Sequence, residues 1–367
     1  MPLRVVIFNW RDMHHPEAGG AEKYIVTVAE GLAKRGHRVT FCTSAYPGAL
    51  PEEVVNGVHY TRRGGRFGIY PRALVNGLLS LHRPDVVIDV QNGMPYLTPL
   101  VSRYPVVNLV HHVHKEQWPV TFGPRAAKAG WWIESRLAPW IYRSARYVAV
   151  SDSTRHELTL QGIDPDRVDI IHNGTDATPL DDTPRSVHPS LVVLGRLVPQ
   201  KRVEYALDVV ASLVGDMPDL TLDVVGSGWW EPHLRDHVEV LGIEKYVTFH
   251  GHVSEAEKHR LLAGAWVHLM PSLKEGWGLV VVEAGIHGTP TVAFREAGGP
   301  NDSIVHNRTG VLVGHDPREF TDAVRELLVD GEKRLRMSDE VARWVPQFHW
   351  DESVQRWEQV LEDAAAG

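Results

Sequence analysis

Apolar positions in this chain follow two alternating periods. Short β-branched runs at 4–9, 37–43, 85–90 and 106–111 have the length and composition of buried strands, and apolar residues recur at helical spacing across 21–35. The second half repeats the design, with strand runs at 191–195, 221–226, 247–251, 267–271 and 291–294 separated by helical segments, 203–213 among them. Strands alternating with helices predict parallel sheets, and two such series predict an α/β protein of two doubly wound, Rossmann-like lobes facing a central cleft. Asn173-Gly174 and the polar, proline-bearing stretch after it have linker chemistry. The expected division is 1–174, a linker at 175–187, and 188–349. Trp350, Val354, Trp357, Val360 and Leu361 share one face of a final helix, about 350–367, which is expected to pack on a lobe, the first being the candidate.

A length of 367 residues suits two domains better than one core, and 43% hydrophobic with 23% charged residues describes a soluble globular chain. The net charge of -8 excludes a nucleic-acid binder, whose phosphate contacts need a basic surface. Any anionic ligand must therefore be met by local cations. Cys42 is the only cysteine, which excludes internal disulfides, cysteine zinc sites and iron–sulfur clusters. With no signal-peptide pattern and no apolar window of membrane length, the expected location is cytoplasmic.

The chemistry concentrates in loops that follow strands. Glu275 and Glu283 stand eight positions apart around Gly276-Trp277-Gly278, a spacing at which two carboxylates can accept from two hydroxylated groups of one ligand, although acids are ordinary surface residues. Gly195-Arg196-Leu197-Val198-Pro199-Gln200-Lys201-Arg202 puts three cations before a helix, where a pyrophosphate would be met, or simply a solvated basic loop. The glycines of Pro16-Glu17-Ala18-Gly19-Gly20-Ala21-Glu22 allow an anion to approach backbone N–H groups, or serve a turn. Neither that loop nor Val225-Gly226-Ser227-Gly228 completes the dinucleotide fingerprint, which argues against an NAD-dependent dehydrogenase. His111, His112 and His114 follow a strand; since 111 and 112 point to opposite faces, a sugar-contacting or proton-handling role for one of them is favoured over a shared metal. Asp164-Pro165-Asp166 reads as a turn before a strand at 168–171 rather than a metal motif.

Taken in order and spacing, these motifs identify a family. The chain resembles retaining GT-B glycosyltransferases of family 4 (group 1) along essentially its whole length, through Gly19-Gly20-Ala21-Glu22, Val150-Ser151-Asp152-Ser153, Ile171-His172-Asn173-Gly174-Thr175-Asp176, Gly195-Arg196 with Lys201, and Val225-Gly226-Ser227-Gly228. It continues through Phe249-His250-Gly251-His252-Val253, Pro271-Ser272-Leu273-Lys274-Glu275-Gly276-Trp277-Gly278, Glu283-Ala284 and Gly298-Gly299-Pro300-Asn301-Asp302. The resemblance implies a nucleotide-sugar donor (UDP- or GDP-sugar) on the second lobe and an acceptor on the first, be it a sugar, a glycolipid or a small molecule. It gives Arg196 and Lys201 the diphosphate in place of a metal ion, so that no cofactor is required, Glu275 the donor sugar, and Glu283 the ribose. Gly19 and Gly20 would approach the phosphates, and His111, with His112 next, would contact the transferred sugar. Gly226, Gly228, Val253 and Gly276-Trp277-Gly278-Leu279 fall at further donor positions.

Two departures stand out. Asp302 replaces the commoner, longer Glu, and the run 279–282 has strand propensity although the family starts a helix near Glu283. The stretch 115–147 holds Trp118, Trp131, Trp132 and Trp140 and an excess of four positive charges, which fits either a core helix beside an aromatic acceptor pocket or peripheral contact with the inner face of an anionic membrane. A nucleotide-sugar epimerase of related fold, needing no external acceptor, is the alternative function, and a catalytically silent sugar-binding protein a further one.

Overall fold

In the computed structural model, which describes residues 1–65, 67–79, 82–175 and 183–366, the chain divides into two units, Met1–Gly174 with His349–Gly367, and Thr175–Phe348. Residues 176–182 of the expected linker lie outside the described residues. The first unit runs β1 (Arg4–Phe8), α1 (Gly20–Lys34), β2 (Arg38–Thr43), β3 (Glu52–Val55), β4 (Val58–Arg62), α2 (Ile69–Leu79), β5 (Val86–Gln91), β6 (Val106–Val110), α3 (Gln117–Thr121), α4 (Pro124–Trp132), α5 (Ala138–Ile141), β7 (Arg146–Ala149), α6 (Asp152–Leu160) and β8 (Val168–Ile170). Among the described residues its sheet has eight strands in the order β3-β4-β2-β1-β5-β6-β7-β8, parallel except for the β3–β4 hairpin. Every residue of β5 and β6 is buried, as expected of interior parallel strands, and the polar residues among them, Asp89, Gln91 and Asn108, are hydrogen-bonded within the first unit.

The second unit continues with β9 (Ser190–Leu194), α7 (Val203–Leu213), β10 (Thr221–Val225), α8 (Glu231–Leu241), β11 (Val247–Gly251), α9 (Glu255–Gly264), β12 (Val267–Met270), α10 (Leu279–Gly285), β13 (Thr291–Phe294), α11 (Pro300–Ser303), β14 (Gly310–Val313), α12 (Pro317–Val329) and α13 (Gly331–Trp344). Its strand order is β11-β10-β9-β12-β13-β14, all parallel. The last helix, α14 (Trp350–Ala366), belongs to the first unit, and all five residues of its expected apolar face are buried. A Cβ on Gly31 of α1 would lie 2.4 Å from Val354, so the glycine permits the close approach of α14.

Three expectations need correction. The β-prone run 279–282 is helical: α10 begins at Leu279 rather than near Glu283, because Val281 and Val282 gain burial by facing the core from a helix, which outweighs propensity. The stretch 115–147 is not one core helix; α4 passes through a π turn (Ile133–Leu137) into α5, with Trp118 buried but Trp132 and Trp140 56% and 59% exposed. Strands β3, β4, β7 and β14 were not expected. Asp164 caps a single 3-10 turn (Pro165–Arg167), the turn role read from the sequence.

Candidate functional site

Strand order reverses in the second sheet between β9 and β12, and ligands of open parallel sheets bind beyond the carboxyl ends of strands at such a reversal. The loops leaving β9 and β12 are the ones that carry Lys201 and Glu275. After β9 the chain makes a 3-10 turn (Pro199–Lys201) and enters α7 through Arg202 at φ 50. That places the Lys201 Nζ 2.5 Å from Glu275 Oε1, with both side chains partly accessible. Leu273 N–H donates to Gln200 O at 2.8 Å and locks the two loops together. Glu275 is fixed by its backbone on both sides: its N–H donates to Ala297 O, and Gly299 N–H donates to its carbonyl at 3.0 Å. Arg196, in the same loop as Lys201, is exposed.

Glu283 lies on α10, 6% exposed, and Lys258 of α9 donates to its Oε1 at 2.9 Å. Lys258 also reaches Glu255 at 2.7 Å, but Glu255 is 75% exposed and so contributes little. Burial pulls the Lys258 pKa down, yet Glu283 and then Glu255 outweigh it and the net shift is upward, which keeps Lys258 charged. Each acid of the original pair thus has its own cation. His268, fully buried on β12 and bonded to Thr291 Oγ1 at 3.0 Å, senses both Glu283 and Lys201; burial lowers its pKa to about 3. Sequence gave no sign of Lys258 or His268, because their partners are distant along the chain.

The remaining second-lobe candidates divide by what their backbone does. A Cβ on Gly226 would lie 2.0 Å from Gly195 O, and one on Gly228 2.0 Å from Leu197 O, so both glycines allow the β10 loop to pack on the β9 loop. Trp277 is a correction: its indole is 2% exposed against Phe348, ring centroids 5.0 Å apart, which leaves backbone groups as its route to a ligand. Gly276 and Leu279 are partly accessible, and Gly278 is buried at φ 90. Val253 is partly buried against Val225 and Ala284 of one apolar cluster, and Asp302, in α11, is partly accessible.

In the first sheet the reversal falls between β1 and β5, beside the loop that leads to Gly19. Glu22, 1% exposed, accepts from Gly19 N–H at 2.8 Å and from Arg11 Nε at 3.1 Å. This corrects the sequence reading of the glycine pair: the Gly19 N–H is already bonded within the capping box, so it is not open to a phosphate, whereas Gly20 is exposed at the start of α1. His111, at the end of β6, is 5% exposed; its Nε2 has no hydrogen-bond partner, and burial lowers its pKa to about 3. Two of the three histidines stack, but among the described residues no three metal-ligating groups come together. His114 Nδ1 is bonded to Glu134 at 3.0 Å, while the His112 ring lies 4.2 Å from that of His114.

His111 and His268 should make the fold acid-sensitive. Each has an ordinary pKa of 6.5 when unfolded and about 3 when folded, so between those values the unfolded chain binds more protons and stability falls as pH falls. Urea unfolding at about pH 7 and about pH 4.5 should show this loss, and His268→Gln should reduce its slope by up to about 1.4 kcal/mol per pH unit. An unchanged slope would mean that His268 is charged in the fold.

Comparison with known proteins agrees with this architecture. A family model described as Glycosyltransferase Family 4 matches residues 18–179, and one described as Glycosyl transferases group 1 matches 184–344. D-inositol 3-phosphate glycosyltransferase 2 of Catenulispora acidiphila is 28% identical, covering 95% of this chain and 92% of its own, and the D-inositol 3-phosphate glycosyltransferase of Corynebacterium glutamicum is 27% identical over 95% and 93%. Among solved structures, sucrose-phosphate synthase from Thermosynechococcus elongatus superposes with a TM-score of 0.84 at 18% identity, covering 99% of each chain. HepE of Anabaena in complex with UDP and glucose gives 0.77 at 18% identity, covering 98% of this chain and 100% of its own. With one family model on each lobe, relatives matched nearly end to end and solved structures superposing over the whole length, the chain belongs to the group 1, family 4 glycosyltransferases and has their GT-B fold.

Proposed function

We propose that the protein transfers a sugar from a UDP- or GDP-sugar to an acceptor hydroxyl with retention of configuration and without a metal ion. The observation that carries this reading is the Lys201–Glu275 pair at the reversal of the second sheet, a cation and an acid side by side where a sugar diphosphate would bind. Cleavage of the anomeric C–O bond leaves positive charge on the sugar and negative charge on the diphosphate. Lys201 and Arg196 meet the diphosphate, Glu275 accepts from sugar hydroxyls and Glu283 from the ribose. The acceptor oxygen bonds to the anomeric carbon on the face the diphosphate leaves, and its proton passes to the departing phosphate oxygen. His111, neutral at physiological pH, meets a hydroxyl of the transferred sugar through Nε2.

A melting panel of UDP-, GDP- and ADP-sugars tests the donor. A donor at about 100 times its Kd should stabilise the protein by about 2.7 kcal/mol, and transfer should survive EDTA. Silence toward every sugar nucleotide would overturn the reading. HepE has been solved with UDP-glucose, and the curated relatives are named for inositol 3-phosphate, so those compounds head the donor and acceptor panels.

The surface of 115–147 supports contact with an anionic membrane. Arg125, Lys128, Trp132, Arg136 and Trp140 recur at three- and four-residue steps along helical backbone, with Arg143 in the turn that follows, and all are exposed. Cations and tryptophans on one face suit headgroups and the interface beneath them. No described helix is long and apolar enough to cross a membrane. Sedimentation with phosphatidylglycerol vesicles at low salt should carry the protein down, and Trp132→Ser with Arg136→Glu should release it; a protein that stays in the supernatant defeats the idea.

A further inference from the structure

His111 is held from the far end of the chain. Its ring meets Tyr24 edge to face, with centroids 5.4 Å apart and planes at 88°. Tyr24, fully buried on α1, is itself fixed on several sides. Its hydroxyl donates to Ile171 O at 2.9 Å and accepts from the Trp357 indole N–H at 2.7 Å, while its ring meets Trp350 at 5.9 Å. Trp350 and Trp357 both belong to α14, which Ser353 ties to His172 O at 2.8 Å. On the other side of the histidine, Thr154 Oγ1 donates to His111 O at 3.0 Å, and the Thr154 N–H is bonded to Ser151 Oγ at the start of α6.

This arrangement fixes the imidazole without engaging Nε2. The Tyr24 hydroxyl is committed at both its proton and its oxygen, and burial raises its pKa, so it stays neutral. What it presents to His111 is an aromatic ring, a contact that sets an angle and exchanges no proton. A buried ring nitrogen without a partner costs free energy, and a substrate hydroxyl arriving there recovers it.

We propose that Tyr24, with Trp357 behind it, is a positioning residue for His111: the C-terminal helix sets the plane of the imidazole and hence the direction of Nε2. The inference rests on the assignment of His111 to the transferred sugar. The test compares His111→Ala, Tyr24→Leu, Tyr24→Phe and Trp357→Phe, reading nucleoside diphosphate release from UDP-glucose, or from GDP-mannose where the melting panel selects GDP. Tyr24→Leu should lower kcat by about 10²-fold with donor KM within about twofold, since a misplaced group about 1 Å from its productive position costs that much. Tyr24→Phe keeps the ring but loses both hydroxyl bonds, and Trp357→Phe removes one of them from the other side; both should have kcat between Tyr24→Leu and the wild type, and Trp357→Phe carries the test if Tyr24→Leu melts below the assay temperature. A Tyr24→Leu enzyme at wild-type kcat beside an inactive His111→Ala enzyme overturns the inference alone, whereas undiminished turnover in His111→Ala overturns the role of His111 and the inference with it.

Discussion

Replacing Lys201 with alanine is expected to lower sugar transfer by about 10²-fold or more while moving the melting temperature only slightly. Two magnitudes separate these effects. The Lys201–Glu275 pair is partly accessible, with side chains 25% and 13% exposed, so its loss should cost on the order of 1 kcal/mol of stability. A preorganised cation facing a leaving diphosphate contributes about 2.7–4 kcal/mol to the transition state alone. Because Lys201 is paired with Glu275 before any donor arrives, binding must trade that carboxylate for a phosphate oxygen. Lys201→Arg should not rescue turnover, since a planar guanidinium cannot place a single donor where the Nζ sits. Near-normal turnover in the alanine variant, measured at saturating donor, would remove Lys201 from the leaving-group role.

Lys258→Met should destabilise the second lobe by about 3–5 kcal/mol. Removing one partner of a buried pair leaves the other as an uncompensated charge, and Glu283 is 7% exposed at its side chain. The exposed Glu255 cannot account for so large a loss. The double variant Lys258→Met with Glu283→Gln should recover much of the stability, because no unpaired charge remains. Donor affinity should not recover with it, since the ribose contact assigned to Glu283 is gone. Urea denaturation and donor titration of the three variants check both halves; a single variant that loses under about 1 kcal/mol would mean that Glu283 stays solvated without Lys258.

Much of this site was legible because loops after parallel strands collect ligand-binding residues. Arg196 and Lys201 were picked out that way and Glu275 by its spacing from Glu283, and the reversal of strand order makes the β9 and β12 loops the candidates. Other features were hidden for physical reasons. Lys258 and Glu283 are 25 positions apart on different helices, and no local period links them. The run 279–282 reads as strand because propensity is local, whereas burial on α10 is decided by tertiary packing. The β3–β4 hairpin did carry a signal, Asn56-Gly57 at φ 49 and 82 between valines, that a search for longer apolar runs passes over. The Gly19 N–H was misjudged because Glu22, three residues on, captures it, which the capping-box spacing could have shown.

The return of α14 to the first unit also bears on how the molecule is made. Tyr24 and Trp357, joined by a hydrogen bond, are 333 positions apart, and the whole of Thr175–Phe348 lies between them. The second lobe is contiguous and can close as soon as its own residues have emerged. The first lobe is begun earliest and finished last, because its final helix leaves the ribosome only after the second lobe has been made. For that interval the nascent first lobe exposes the surface of α1 that Val354 and Trp357 later cover, and the order of completion runs against the order of synthesis.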